Sequence, residues 1–380
     1  MNYLALLFED ISIFYYTLIF LLASKFAFNA QYKTVNGNIV FRPHWFLICF
    51  LFLWVFFAFN DVGSDLPQYR LLFDESKDGT STYGTGLVEI GYIYLNYIIH
   101  LFTDNAIYGV AIIRTIQLAI VFFSFYLLRD NISIGYAVTA YVALFYFASF
   151  NILRSSLAGA ICILNISLLL KDKSIFCIPL MLLSFFIHRS SALFVIPILS
   201  YFILYQSPLK KMGKVVKIAY VAASVFALVY GASLLQHFVD QGFGAGRFDD
   251  YLEEEQTVGI MFIFVYAPLF WALYKSYKIK SFRNSRLYKL TFVFLIFECF
   301  VALLSYKVGI LTRADIYFSM PILMFIPAFL RQGGNSTNPN IRGSNQWRFV
   351  IFLYLVIRFA ITTSGIFKVS MIDNFHFINL

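Results

Sequence analysis

The sequence predicts an all-α, polytopic membrane protein of about twelve transmembrane helices, and three observations lead to that fold class. Hydrophobic residues make up 60% of the 380 residues and charged residues 13%, whereas a soluble domain averages about 25% charged residues. Apolar runs recur along the chain, each near the ~20 residues that a helix needs to cross ~30 Å of hydrocarbon. The ~10-residue alternating segments of a membrane β-barrel are absent from the sequence.

The apolar runs give the predicted spans in order. They cover residues 3–23, 44–59, 106–128, 132–150, 154–170, 174–187, 190–205, 218–239, 259–274, 290–305, 314–330 and 349–367. The first run carries Glu9 and Asp10 and lacks a basic leader, so we interpret it as a span and not as a cleaved signal. We expect one integral membrane domain over residues 1–380.

Cysteine and charge usage exclude other classes of protein. The four cysteines all lie within apolar runs, so neither a disulfide framework nor a zinc site is predicted: Cys49, Cys162, Cys177 and Cys299. The net charge of +9 reflects loop topology and does not indicate nucleic-acid binding. No cofactor and no metal site is expected, because no cluster of His, Cys and carboxylates has ligand spacing.

The distribution of basic residues sets the orientation of the predicted spans. Nineteen of the 29 lysines and arginines fall in loops on one side, eight on the other and two within spans. Because cytoplasmic loops are enriched in lysine and arginine, the richer side is assigned to the cytoplasm. Residues 60–105 and the acidic residues 240–258 then form external loops.

Within the first external loop, residues 87–102 are apolar but patterned. Glu89, Tyr92, Asn96 and His100 are three or four residues apart, so they share one helical face. This stretch could be a span with a polar stripe or an amphipathic helix lying in the outer interface. A crossing helix would turn every later basic loop outward, so the interfacial interpretation is preferred.

Two polar clusters flank the predicted helical hairpin of residues 151–192. One begins at Asn151 and contains Arg154, and the other contains His188 and Arg189. Because a short charged turn at residues 171–173 joins the two apolar runs, both clusters should meet at the same membrane face. Arg114 lies inside another span, where a guanidinium costs ~2.5–3.5 kcal/mol and is expected to face a cavity or a partner.

Converging arginines and a histidine suit a phosphate-bearing lipid. Guanidinium groups bind phosphate oxygens in pairs and stay charged. Fixed cations would stabilise the negative charge that a lipid-linked pyrophosphate develops as its sugar is transferred. A histidine is then a natural general base for the acceptor hydroxyl.

Four short elements occur at intervals along the chain: Gly63-Ser64-Asp65-Leu66 with Tyr69, Asn151 and Arg154 before Ala158-Gly159-Ala160, His188-Arg189-Ser190-Ser191-Ala192, and Arg313 with Tyr317 and Pro321. Together they resemble the EpsG-like group of Wzy-type polysaccharide polymerases. The sequence departs from the family pattern at Leu66, Ser155 and Thr312, where a tyrosine, a glutamine and a carboxylate are common. The four elements fall in the order and on the face that the family uses.

The resemblance implies a GT-C-like, metal-independent glycosyltransferase of the bacterial cytoplasmic membrane. Such an enzyme transfers the growing glycan from undecaprenyl pyrophosphate to the next lipid-linked repeat unit at the outer face. The candidate catalytic residues are His188 and Asp65; the candidate pyrophosphate ligands are Arg154, Arg313, Arg114 and Arg189; the candidate substrate contacts are Gly63, Tyr69, Asn151, Ser190 and Tyr317. Membrane lipids and a chain-length regulator protein are candidate partners.

Two other functions use the same lipid-linked sugar. A flippase would need inverted repeats or charges spread through the depth of the bundle, and no convincing repeat is visible. A ligase that moves finished glycan to another acceptor shares the donor and the chemistry, so the sequence separates it poorly from a polymerase. A non-catalytic scaffold would give no reason for the arginines to share one face.

Overall fold

A computed structural model describes residues 11–33, 39–79, 88–206, 213, 219–220, 222–223, 261–304, 315–333 and 344–363. The described chain forms two compact units, one within Met1–Arg189 and Leu323–Leu380 and the other within Ser190–Ile322. The predicted external loop 240–258, the predicted span 218–239 for most of its length and Arg313 lie outside the described residues.

The first unit begins with two membrane-type helices separated by a short hairpin. Helix α1 spans Ile11–Asn29 and α2 spans Pro43–Ala58, with Pro43 at the start of α2, where its missing N–H costs nothing. Between them, strands β1 (Gln31–Lys33) and β2 (Ile39–Phe41) pair antiparallel. This hairpin lies in the connection that was predicted as a loop, and α1 runs to Asn29, past the predicted end at residue 23.

The described part of the predicted external loop contains the expected helix and a second one before it. Helix α3 covers Leu66–Glu75, a 3-10 turn covers Ser76–Asp78, and α4 covers Ile90–His100. The polar stripe of α4 faces the protein, since Tyr92 and Asn96 are fully buried. Its exposed side chains are apolar or aromatic: Ile90, Tyr94, Tyr97 and Ile98.

The predicted spans that follow appear as helices close to their expected bounds. They are α5 (Ala106–Leu128), α6 (Ile134–Tyr141), α7 (Leu153–Leu170) and α8 (Cys177–Ile187). Asn105 caps α5 by accepting a hydrogen bond from the N–H of Ile107 at 2.8 Å. A π-helix at Val142–Tyr146 and a 3-10 turn at Ala148–Phe150 continue α6 toward Asn151.

The remaining described helices run from four to 20 residues in length. A 3-10 segment at Arg189–Phe194 leads into α9 (Val195–Tyr201) and a π-helix (Phe202–Gln206). Then come α10 (Met261–Tyr277), α11 (Lys280–Arg283), α12 (Arg286–Leu304), α13 (Asp315–Phe318), α14 (Ile322–Gly333) and α15 (Ser344–Thr363). The single predicted span 314–330 is thus broken between α13 and α14.

The helices are apolar enough to identify a membrane protein. Among the described residues, four helical segments are long and apolar enough to cross a bilayer: Ala106–Leu128, Leu153–Leu170, Arg189–Gln206 and Gln346–Thr363. Five shorter apolar helices accompany them. The helical membrane class of the fold is confirmed.

The hairpin of α7 and α8 brings its two polar clusters to one end. A turn at residues 171–173, with Asp172 at a left-handed φ of 64°, reverses the chain. Asn165 on α7 donates to the carbonyl of Cys177 at 2.9 Å, which ties the two helices near this turn. The start of α7 and the end of α8 therefore meet at the opposite end.

Candidate functional site

A buried carboxylate joins the two polar clusters of the hairpin. Glu89 precedes the first residue of α4 and is only 6% exposed. Its Oε2 lies 2.6 Å from Nη1 of Arg154, and its Oε1 lies 2.9 Å from Nδ1 of His188. Oε1 also accepts a hydrogen bond of 3.1 Å from the main-chain N–H of Arg189. Three donor groups from the ends of α7 and α8 thus share one carboxylate.

These contacts keep Glu89 ionised. Burial by itself raises the pKa of a carboxyl group, but the contact with His188 and the charge of Arg154 outweigh it, and the pKa of Glu89 falls to about 2. The main-chain N–H of Arg189 acts in the same direction. Glu89 is therefore a carboxylate at neutral pH, and it compensates the positive charge of Arg154.

His188 lies where α8 ends. Its main-chain N–H bonds to the carbonyl of Ser184 at 2.9 Å, and the residue itself is extended, at φ −156° and ψ 114°. Nδ1 faces Glu89, although the N–H is not aligned as a hydrogen bond in this conformation. Nε2 is buried and makes no hydrogen bond within the described part of the chain. Nδ1 of the ring therefore contacts the carboxylate, whereas Nε2 has no hydrogen bond to a described residue.

Arg154 lies in the first turn of α7, with 16% of its side chain exposed. Tyr69 on α3 hydrogen-bonds to Arg154, and burial raises the pKa of the Tyr69 phenol while the charge of Arg154 lowers it. The ring of Tyr92 lies 6.0 Å from the guanidinium carbon. Nε of Arg154 is buried and has no hydrogen bond to any described residue. The guanidinium therefore keeps a donor for a further acceptor.

The Gly63 turn is fastened to Asn151. The side-chain oxygen of Asn151 accepts from the Ser64 hydroxyl at 3.0 Å and from the main-chain N–H of Asp65 at 2.9 Å. Gly63 has φ +118°, and a Cβ added there would lie 2.7 Å from the carbonyl oxygen of Phe150. Only glycine fits both the left-handed backbone and the close approach. The turn places Asp65 and Tyr69 beside the start of α7.

Arg114 is bonded to main-chain carbonyls. It is 1% exposed on α5, and it donates to the carbonyls of Asn60 at 3.1 Å and Phe150 at 3.3 Å. Asn60 in turn caps the end of α2 by donating to the carbonyls of Phe56 and Phe57. The guanidinium thus joins two chain ends that border the Gly63 turn. Its predicted pyrophosphate role stays a prediction.

The other predicted site residues are placed as follows. The side chain of Arg189 is exposed, next to the main-chain N–H that bonds Glu89. Ser190 is half-buried and Tyr317 is fully buried, and both belong to the second unit. Arg313 lies outside the described residues. The structure therefore brings together Gly63, Asp65, Tyr69, Asn151, Arg154 and His188, and their roles as ligands or catalysts stay predictions.

Sequence reasoning missed the residue at the centre of this arrangement. Glu89 was grouped with a polar stripe, and no site role was assigned to it. The signal was a single carboxylate at the start of an apolar helix, on the same predicted face as Arg154 and His188. Because a buried carboxylate needs cationic partners, Arg154 and His188 on that face are the partners that the sequence offers.

Among the described residues, no group of three or more His, Cys, Asp or Glu side chains could hold a metal ion. The side chains that the structure brings together are one guanidinium, one imidazole and one carboxylate, with the exposed Arg189 beside them. Such a set can bind an anion and move a proton.

Comparisons with known proteins identify the family of this chain. No curated protein and no solved structure matches it significantly. A family model described as the EpsG family matches residues 44–374, which is nearly the whole chain. That family is associated with polysaccharide polymerases. Because this match covers most of the chain, the chain belongs to the EpsG family.

Proposed function

We propose that this protein polymerises lipid-linked oligosaccharide repeat units. It transfers the growing glycan from undecaprenyl pyrophosphate to a hydroxyl of the next lipid-linked unit and releases undecaprenyl pyrophosphate. Membership of the EpsG family supports a role in polysaccharide biosynthesis at a membrane. The observation that carries the reaction is the convergence of Arg154 and His188 on Glu89, 65 residues from Arg154 in sequence.

In the proposed reaction one glycosyl bond breaks as another forms, and the side chains of the site take up the charge and the proton. The bond between the anomeric carbon of the donor sugar and the diphosphate oxygen breaks, and its electron pair leaves with the diphosphate. The acceptor oxygen forms the new glycosidic bond, and its proton passes to Nε2 of His188. Arg154 holds the diphosphate through the donors that Glu89 does not occupy, and the exposed Arg189 is placed to contact the same anion.

The remaining predicted residues have supporting roles in this proposal. The Gly63 turn and Asn151 position Asp65 as an additional acid or base near the acceptor, and Tyr69 donates to the sugar or diphosphate. Ser190 and Tyr317 are proposed sugar contacts, and Arg313 a further pyrophosphate ligand. The contacts of Arg114 favour a role in holding the turn over direct ligand binding.

The proposed location is the outer face of the bacterial cytoplasmic membrane, in a GT-C-like bundle of about twelve spans. The exposed apolar and aromatic side chains of α4, whose opposite face is buried in the protein, suit a helix lying in the outer interface. Such a helix would place Glu89 near the headgroups, where the diphosphate of a lipid-linked donor resides.

Deletion of the gene followed by gel analysis of surface polysaccharide tests this function. A polymerase deletion should remove the ladder of long chains and leave a single repeat unit on the surface acceptor. Loss of all surface glycan would instead indicate a flippase or a ligase. Re-expression of the intact gene should restore the ladder.

A further inference from the structure

We infer that Glu89 is the positioning residue of the site: it fixes the tautomer of His188, so that Nε2 is the nitrogen that accepts a proton. The inference rests on the proposed function for the identity of the proton donor, which is the acceptor hydroxyl. It concerns a residue that neither the sequence motifs nor the family resemblance singled out.

The geometry leaves few alternatives for the imidazole. Nδ1 lies 2.9 Å from Oε1 of a carboxylate that is held in place by two further donors, Arg154 and the N–H of Arg189. An ionised carboxylate only accepts hydrogen bonds, so the nitrogen facing it must carry the proton. A neutral imidazole with its proton on Nδ1 has its lone pair on Nε2. That atom makes no hydrogen bond to a described residue.

The same carboxylate would stabilise the product of proton transfer. When Nε2 takes the proton of the acceptor hydroxyl, the O–H bond breaks, an N–H bond forms and the ring becomes a cation. Glu89 lies against that cation and keeps its own charge throughout, as an orienting carboxylate does beside a catalytic histidine. The misaligned Nδ1–H contact is expected to tighten when substrates bind, as such hydrogen bonds often do.

Glu89 also binds Arg154. This second contact predicts that substitution of Glu89 changes kcat and the donor KM differently. Replacing Glu89 by glutamine removes the charge that stabilises the imidazolium, so the turnover rate should fall. It also removes the anion that competes with a diphosphate for Arg154, so the KM for the donor should stay the same or decrease. A merely structural role for Glu89 would raise the KM along with the loss of rate.

The experiment uses full-length protein in detergent with the lipid-linked single repeat extracted from the deletion strain. Glu89→Gln should lower kcat about 100-fold or more without raising the donor KM. His188→Gln should cost a similar factor, and the double variant little more than either single change, because the two residues act as one unit. The matched control is Asp104→Asn, an acid-to-amide change at an exposed position just beyond α4.

A second measurement does not depend on activity or on a Glu89 variant. Nitrogen NMR of histidine-labelled protein in alkaline buffer, where an imidazole is ordinarily neutral, reports the tautomer of His188, assigned by its loss in His188→Gln. The proton should reside on Nδ1. A proton on Nε2, or losses of kcat that multiply in the double variant, would overturn the inference. Wild-type protein that makes no polymer would instead count against the proposed function, and the NMR result would still test the tautomer that Glu89 is inferred to fix.

Discussion

Arginine residues form hydrogen bonds at both ends of the helices in the first unit, but their partners differ between the two ends. Beyond the C-terminal end of α5, Nη1 of Arg331 donates to the carbonyls of Arg129 at 2.6 Å and Ile132 at 2.7 Å. Gln31 reinforces this end by donating to the carbonyl of Arg129 and accepting from the N–H of Ile134. At the other end, Arg154 binds a carboxylate that is shared with a histidine.

The difference separates arginines that hold the fold from one that can take part in chemistry. A main-chain carbonyl does not titrate, so a guanidinium bound to carbonyls fastens the backbone and little else. A carboxylate with an imidazole can move a proton and can exchange one cationic partner for another. Arg114 lies near the site, yet its partners are carbonyls, as at the Arg331 end. The type of partner that an arginine binds is therefore a better guide to its role than its distance from the site.

The largest expected effect comes from Arg154→Ala. It removes the proposed diphosphate ligand and leaves Glu89 buried without its cation, which costs about 3–5 kcal/mol. Long glycan chains should disappear from a surface-polysaccharide gel while single repeat units persist. Arg129→Ala is the matched control, because its guanidinium lies over Tyr126 at the opposite end of α5. A normal ladder in Arg154→Ala would remove this residue from the site.

Arg114→Met tests an arginine that is bonded to main-chain carbonyls, and this change should mainly lower the stability of the protein. The substitution leaves the buried carbonyls of Asn60 and Phe150 without their donor, at about 1–3 kcal/mol each. Thermal unfolding in detergent should occur at a Tm lower by several degrees, while the remaining folded protein keeps its donor KM. A donor KM raised more than about tenfold at unchanged Tm would support the pyrophosphate role for Arg114.

A pH dependence of stability distinguishes the two ends. The folded pKa of Glu89, about 2, lies below that of a free glutamate, about 4.3, so its contribution is complete above the free value and is lost as pH falls toward 2. The loss amounts to about 3 kcal/mol. The Tm of the wild type should drop through this range, and Glu89→Gln should flatten the drop.

Arg331→Met provides the comparison for this pH experiment. Its bonds go to carbonyls that do not titrate, so this variant should keep the wild-type dependence on pH while its Tm is lower throughout. An acid-dependent drop that is unchanged in Glu89→Gln would show that other carboxylates cause it.

The smallest expected effect concerns orientation, and its readout is labelling and not activity. Ser64 is exposed beside the site and Lys173 is exposed in the turn at the other end of the hairpin. In a cysteine-free background, Ser64→Cys should react with an impermeant maleimide on intact cells, and Lys173→Cys only after permeabilisation. The reverse pattern would place the site at the cytoplasmic face.

The helices and the hairpin could be predicted from sequence because each depends on local patterns. The apolar runs of α5 and α7 gave bounds that agree with the structure to within a residue, and the run of α8 gave the correct end but began three residues earlier, at a 3-10 turn over Ser174–Phe176. The short strands β1 and β2 were missed, because three residues per strand leave no clear alternation to detect.

The sequence by itself determined a helical membrane protein whose polar clusters at Arg154 and His188 meet at one end. The hydrophobic length of each run and the short turn between two runs are sufficient for that conclusion. Only the tertiary structure decided that Glu89 joins these clusters, because Arg154 and Arg189, which donate to it, lie 65 and 100 residues away in sequence. It likewise decided that Arg114 bonds to carbonyls, since the partner of a buried charge depends on which chain ends the packed helices bring beside it.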